Sequence, residues 1–458
     1  MQFLMELNSR INSLVWGPPM LVLIIGVGFY ITVRTRWVQF AKFGLMARET
    51  MGKIFRRGPT AEGDVTPLQA LTVAMGGTVG VGNIAGVATA IAMGGPGALF
   101  WMFLSGLVGM ATKFAEVVLG VHYRVRRPGE PMMGGAMMYI ERGLGARWKW
   151  LAMLFSLFGA LAAFGIGNMV QANSVADGMK YFGVPPMVTG LFLVVAVGLV
   201  TLGGIKRIAQ AAMVCVPLMC TLYMLGAFVI ILVNAASLPS VVALVLHSAF
   251  TPTAAAGGFA GAAVLMAMRY GIARGVFSNE AGLGSAPMAH ATAMTDHPAR
   301  QGLWGIFEVF FDTIVMCTAT ALVILVTGVW SSGENGAKLT MSGFNAVFGN
   351  TLGSGLVVFC MVLTAYDTLL AWCFYGETCA AYLLGLGKTV RTAYRVVWLP
   401  FTLIGAMGSL KAVWDIADTL NGLMALPNLI AVVALMGVVV RLTRGFLAGE
   451  PYQPFEGA

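Results

Sequence analysis

Charge is what this sequence has least of. Only 10% of its 458 residues are Asp, Glu, Lys or Arg, against roughly 25% in an ordinary soluble domain. No stretch is both long and polar enough to stand as a soluble domain, so the chain reads as a polytopic membrane protein. Cysteine is scarce too. Cys215, Cys220, Cys317, Cys360, Cys373 and Cys379 all fall in apolar segments, none with metal-ligand spacing to histidine. That excludes a disulfide scaffold or a zinc module and leaves them as small core residues. The four histidines form no H-E-x-x-H, and no nucleophile–base pair is legible, so a membrane-embedded enzyme lacks a motif. His290, Asp296 and His297 share a loop, but their spacing fits no standard metal site. The repeated filter or ring motif of an ion channel is missing as well. The N-terminus lacks the basic start and small-residue cleavage site of a signal peptide, so the first apolar segment is expected to stay as a helix.

What is present is apolar length, 58% hydrophobic residues with a mean hydropathy of +0.83. A helix needs about 20 apolar residues to span a bilayer. Eleven candidates are found, near 15–33, 66–94, 97–122, 149–178, 186–204, 209–235, 258–288, 301–330, 353–384, 393–410 and 422–441. Alternate loops divide the basic residues unequally. One set (34–64, 123–149, 205–207, 289–300, 385–395 and 441–458) holds 21 Lys and Arg, and the other holds 4. The positive-inside rule puts the rich set in the cytoplasm, with the N-terminus outside and the C-terminus inside. Topology therefore accounts for the net charge of +9, and no nucleic-acid partner is needed.

Setting the first helix aside leaves five spans before residue 240 and five after it. Five is odd, so the second group runs opposite to the first. Each group opens with a glycine-interrupted helix. This is the layout of an inverted-topology five-plus-five repeat, the architecture of the leucine-transporter (LeuT) fold by analogy. The expected divisions are 1–64 (one span and a basic cytoplasmic loop), 65–240 (first repeat), 241–445 (second repeat) and 446–458 (a cytoplasmic tail).

The two interruptions are the most informative feature. The first runs Met75-Gly76-Gly77-Thr78-Val79-Gly80-Val81-Gly82-Asn83-Ile84-Ala85-Gly86, and the second runs from Gly271 through Gly275, Ser278, Asn279 and Glu280 to Ser285. Lipid offers no hydrogen bonds, so unwound backbone survives at membrane depth only where protein buries it or it lines a cavity. A matched pair of breaks points to the central site of a secondary transporter. Free carbonyls there suit a cation, and free N–H groups at half-helix starts suit a carboxylate. Close packing through small residues explains Gly80 and Gly86, but five glycines within eleven positions exceed that need. Gly80-x-Gly82-x-x-Ala85 matches a dinucleotide fingerprint in form only, since it follows no strand and no acidic residue lies about 20 positions on.

Candidate substrate contacts in the breaks are Thr78, Gly80, Gly82 and Asn83, then Gly275, Ser278 and Asn279. Arg274 and Glu280 are read as a structural ion pair or gate, since charges inside a membrane are normally paired. Lys113 and Glu116, three apart on one helix face, are read as a second structural pair. In the fourth span Asn168 and Gln171 share a face near Phe164, placed either to reach a substrate or to tie helices together. In the ninth, Thr364, Thr368 and Trp372 recur every four residues beside Asp367. Hydroxyls suit a hard sodium ion, so Gly76, Gly77, Thr364 and Thr368 form a candidate sodium site. The alternative for the threonines is back-bonding to their own helix. Trp372 would then cap the substrate and limit its size. Proton coupling through Asp367 or Glu280 is the rival to sodium.

Several stretches resemble the alanine or glycine:cation symporter family, also called the sodium:alanine symporters. They are Gly80–Ile91, Gly94–Met102, Lys113–Val117, Gly134–Ile140, Phe277–Pro287 and Tyr375-Gly376-Glu377. The sequence departs from the family pattern at Val81, where threonine is usual, and at Ala136, where proline is. The resemblance implies sodium-coupled uptake of small neutral amino acids, alanine and glycine, by a multi-pass protein of a bacterial inner membrane. It also favours Gln171 as a substrate residue.

Overall fold

The computed structural model describes residues 2–53, 62–251, 260–385, 387–408 and 411–455. The expected start of the seventh span at 258, the end of the tenth at 410, the loop arginines Arg56 and Arg57, and the tail's last three residues lie outside the described residues. The described chain is helical throughout, with two isolated bridges, Val65–Ala293 and Val125–Met133. In order the helices used below are α1 (Gln2–Val15), α2 (Pro18–Arg34), α3 (Phe43–Glu49), α4 (Pro67–Thr78), α5 (Val87–Gly94), α6 (Ala98–His122), α7 (Ala136–Leu144), α8 (Lys149–Ala162), α9 (Val170–Lys180) and α10 (Pro186–Thr201). There follow α11 (Ile205–Val233), α12 (Leu238–Phe250), α13 (Ala260–Asn279), α14 (Pro287–His290), α15 (Pro298–Val309), α16 (Thr318–Val326), α17 (Gly336–Leu384, two helical pieces joined by a kink at Gly349, φ 75°), α18 (Lys388–Met407), α19 (Lys411–Ala434) and α20 (Met436–Ala448). Three π-helical segments, Gly82–Gly86, Ala163–Met169 and Phe310–Cys317, join α4 to α5, α8 to α9 and α15 to α16. Sequence signals set the starts. Pro67 opens α4 behind a reciprocal Thr66–Gln69 capping box, and Pro18, Pro186 and Pro298 open α2, α10 and α15.

Seven helices among the described residues are long and apolar enough to cross a bilayer, and the bent pair Pro67–Thr78 with Gly82–Gly94, 46° apart, makes an eighth. The other three expected spans fall outside this set. Helix α10 has 16 residues, α13 carries Arg269 and Arg274, and α18 carries Lys388, Arg391 and Arg395. The last span lies earlier than expected. Its crossing stretch is Ile416–Ala434, and the chain turns at Leu435 into α20, which carries Arg441 and Arg444. Helices α1 and α12 occupy stretches expected to be loop. Met187, Val188, Leu191, Phe192, Val195 and Leu199 of α10 are exposed. An exposed apolar face of that size is what lipid covers.

Helix α6 sits at the centre, buried over most of its length between α13 and α15. Small residues allow the approach. A side chain at Gly271 would meet the Ala98 carbonyl at 2.4 Å, and one at Gly275 would meet Ser105 Oγ at 2.4 Å. Gly271 and Gly275 are thus packing glycines, four apart on the continuous helix α13. They are not part of a break, which corrects the expectation for Gly275. Lys113 of α6 pairs with Glu308 of α15 (3.1 Å), whose other oxygen meets His290 Nε2 (2.9 Å); all three are buried. The expected Lys113–Glu116 pair is therefore replaced by a bridge between helices. Breaking a buried pair by removing one partner costs about 3–5 kcal/mol. Glu308→Ala is therefore expected to lower the melting temperature in detergent clearly, and an unchanged melting curve would contradict the role given to the pair.

Candidate functional site

The first break lies where α4 ends. Val79 leaves the helix (φ −77°, ψ 84°), and the helix resumes through the π turn Gly82–Gly86. Side chains satisfy the backbone this frees. Asn83 Oδ1 accepts from the Gly80 N–H at 2.9 Å, and Thr340 donates to the Ile84 carbonyl at 2.9 Å. Thr78 bonds back to its own helix, at the carbonyls of Ala74 and Met75.

The second break begins after α13, at Glu280. Glu280, Gly282 and Gly284 all take positive φ (56°, 94° and 76°) before α14 starts. Glycine accepts that conformation freely, and a non-glycine residue there is strained. Ser285 Oγ donates to the Glu280 carboxylate. The N–H groups of this break are already taken. Glu116 Oε1 accepts from Gly282 (3.0 Å) and Gly284 (3.2 Å), and Asn279 Oδ1 accepts from Ala281 (2.9 Å). These donors are therefore closed to a substrate carboxylate. Glu116 is the anion at this half-helix start.

The breaks meet. A side chain at Gly82 would lie 3.2 Å from Phe277 Cδ1. Asp312, in the π segment Phe310–Cys317, ties them together. Its Oδ1 accepts from Asn83 Nδ2 (2.7 Å) and Ser278 Oγ (3.0 Å), and its Oδ2 accepts from Thr313 Oγ1 (2.7 Å), to which Asn279 Nδ2 donates in turn (3.0 Å). Sequence reasoning passed over Asp312, although an aspartate within an apolar span was a legible signal.

On the other side of α4, α17 faces a ladder of glycines. A side chain at Gly76 would meet Asp367 Cβ at 3.2 Å, one at Gly77 would meet the Tyr375 hydroxyl at 3.1 Å, and one at Gly80 would meet Thr368 Oγ1 at 2.8 Å and Gln171 Oε1 at 3.7 Å. Thr368 donates to the Gly76 carbonyl (2.9 Å) and also contacts the Thr364 carbonyl (3.0 Å), while Thr364 bonds back to Met361. Gln171 uses its amide nitrogen on the Ile166 carbonyl freed by the neighbouring π segment. Its Oε1, both oxygens of Asp367 and the Tyr375 hydroxyl are buried with no hydrogen-bond partner. Unsatisfied buried oxygens are rare in proteins, and the three side chains that carry these four pack along one glycine ladder.

Three expected contacts stand elsewhere. Both amide atoms of Asn168 are used by α18, on the Trp398 carbonyl and the Thr402 hydroxyl (2.8 Å each), so it ties helices together. Phe164 packs on Tyr394, Trp398 and Phe401. Trp372 is 1% exposed and fills the space left by Gly167, where a side chain would come within 2.1 Å of it. It packs edge-on to Tyr375, and its indole Nε1 is buried without a hydrogen-bond partner. Arg274 pairs with Asp418 of α19 at 3.1 Å rather than with Glu280, and its guanidinium lies over Phe277.

A cavity of about 1050 Å³ leads to the first break, floored by Val81, Gly82 and Phe277 and walled by α9, α13 and the start of α17. The opposite end is sealed. Asp64 donates its N–H to Thr292 O (2.8 Å), Met294 donates to Val65 O (2.8 Å), and Arg124 donates to the carbonyls of Ala291 and Ala293 (3.0 and 2.7 Å). Among the described residues no group of three or more His, Cys, Asp or Glu side chains is placed to hold a metal ion, and His290 is buried against Glu308 and Gln301.

A family model described as the sodium:alanine symporter family matches residues 1–452. The chain belongs to that family. It is 45% identical to the sodium/alanine symporter AgcS of Methanococcus maripaludis over 448 residues, 96% of this chain and 97% of that protein. It is also 45% identical to an uncharacterized transporter of Haemophilus influenzae over 441 residues, 96% and 95% of the two chains. The crystal structure of MhsT in complex with L-phenylalanine superposes with a TM-score of 0.59 over 84% of this chain and 99% of that one, at 12% identity, which establishes the LeuT-like fold. The protein is thus a multi-pass membrane transporter and not an enzyme.

If the Asn83–Asp312 tie holds the breaks together, Asn83→Leu keeps the volume and removes both bonds. Leaving buried partners unsatisfied costs about 1–3 kcal/mol. The variant is expected to reach the membrane yet lose most transport, and uptake per surface molecule equal to wild type would contradict the tie.

Proposed function

We propose that the protein couples sodium entry to uptake of small neutral amino acids, alanine first and glycine close behind, by alternating access from a bacterial inner membrane. The observation that carries this reading is the set of unpartnered oxygens on Gln171, Asp367 and Tyr375 along Gly76, Gly77 and Gly80. Oxygen ligands suit sodium and an ammonium group, and the close packing at the glycines leaves room for a small ligand. The name of the relative AgcS points the same way. Gly76, Gly77, Thr364 and Thr368 would hold sodium. Gly80, Gly82 and Gln171 would hold the substrate, and Arg274 with Asp418 would stand at the wall of its access path.

The two repeats at 65–240 and 241–445 would move around this site. The basic-loop count puts the N-terminus outside and the sealed end of the molecule in the cytoplasm. The cavity then opens outward, as a carrier waiting for substrate requires.

Two measurements test the reading. Labelled alanine uptake is expected to fall to background when choline replaces sodium, and uptake that persists unchanged overturns sodium coupling. Thr368→Val keeps the shape and removes the hydroxyl, so the sodium concentration for half-maximal uptake is expected to rise several-fold with little loss of folded protein. A wild-type sodium midpoint would remove Thr368 from the ion site.

A further inference from the structure

We propose that the segment 449–455, after α20, is a latch across the sealed end of the molecule, and that it must release before that end can open. The inference rests on the alternating-access reading above and names a contact that would govern it.

The sequence fixes the course of this segment locally. Helix α20 ends at Ala448, and Gly449 behind it takes the left-handed conformation (φ 76°, ψ 19°). The Gly449 N–H donates to Phe446 O (3.2 Å) and the Glu450 N–H to Gly445 O (2.9 Å), which closes the helix end. Pro451 and Pro454 then keep the chain out of a helix. Glu450, Pro451, Gln453 and Pro454 are exposed, whereas Tyr452 and Phe455 are partly buried. Only these two rings hold the segment down.

The rings land on both halves of the chain. The Tyr452 hydroxyl pairs with His122 Nδ1 at 3.0 Å, and its ring lies 5.9 Å from the ring of His122 and 5.4 Å from that of His297. Phe455 packs edge-on to His122 (5.7 Å) and Tyr123 (4.8 Å), with the Arg142 guanidinium over its face at 5.0 Å. His122 and Tyr123 stand at the end of α6 and Arg142 on α7, in the expected first repeat, while His297 caps α15 in the second. Arg124, two residues beyond His122, makes the hydrogen bonds to Ala291 and Ala293 that close this end. Opening it parts Arg124 from those carbonyls and His122 from His297, and rings held against both sides resist that movement. Release costs the segment no backbone hydrogen bond beyond its turn, so the latch can open and close with each cycle.

The test uses the full-length purified protein without its native cysteines, carrying Val81→Cys in the cavity or Thr292→Cys at the seal, and a water-soluble maleimide. Tyr452→Ala with Phe455→Ala is expected to slow labelling at 81 and to speed it at 292, each several-fold. Tyr452→Phe keeps the ring and loses the bond to His122, and an intermediate shift is expected; it also serves if the double variant is poorly produced. Unchanged rates at both positions overturn the proposal, even where the variant melts lower, since that is a structural role. Faster labelling at both positions is general loosening and overturns it as well. In proteoliposomes, a short cleavable crosslinker joining Tyr123→Cys to Phe455→Cys is expected to stop alanine uptake until it is reduced, and uptake undiminished by the crosslink overturns the need for release. If alanine with sodium alters labelling at neither position when the tail is intact, the alternating-access reading fails. If it does alter labelling there, and the tail variants behave identically, the latch alone fails.

Discussion

Backbone that leaves its helix inside a membrane has no water to turn to, and the organisation of this molecule follows from that constraint. Each break is supported by a buried side chain on another part of the chain or close by. Asn83 takes the Gly80 N–H, Glu116 takes Gly282 and Gly284, and Asn279 takes Ala281. Asp312 then joins the two sets of supports. A movement at one break cannot leave the other unaffected, because they share one carboxylate.

The same economy decides where a ligand fits. Around the second break the N–H groups of Ala281, Gly282 and Gly284 are taken within the protein, and Glu116 Oε2 is left without a partner. Beside the glycine ladder of α4 pack Gln171, Asp367 and Tyr375, whose side-chain oxygens are buried and unpartnered. The two breaks are therefore unequal: the second has its N–H groups taken within the protein, and the first borders three side chains with unpartnered oxygens.

Much of this was legible in the sequence. Low charge and long apolar runs gave the membrane class, and the position of the first break followed from Gly76 to Gly86. The match of Gly80–Ile91 and Phe277–Pro287 to a known family held over the whole chain. What could not be read was partner choice. Arg274 lies six residues from Glu280 but meets Asp418, and Lys113 lies three from Glu116 but meets Glu308. Sequence spacing reports neighbours on one helix, and these charges are matched between helices. Gly275 shows the same limit, since a glycine that permits packing and one that permits unwinding look alike in sequence. The last span was set too late because its apolar pattern continues through Leu435, where the chain turns.

The central claim is that the ligand sits beside Gly80, Gly82 and Gln171 and is reached through the cavity that ends at the first break. Val81 lines the floor of that cavity. In a protein lacking its six native cysteines, Val81→Cys should react with a membrane-impermeant thiol reagent, and alanine with sodium together should slow the reaction far more than either alone. A labelling rate indifferent to alanine in sodium would place the ligand elsewhere and contradict the account.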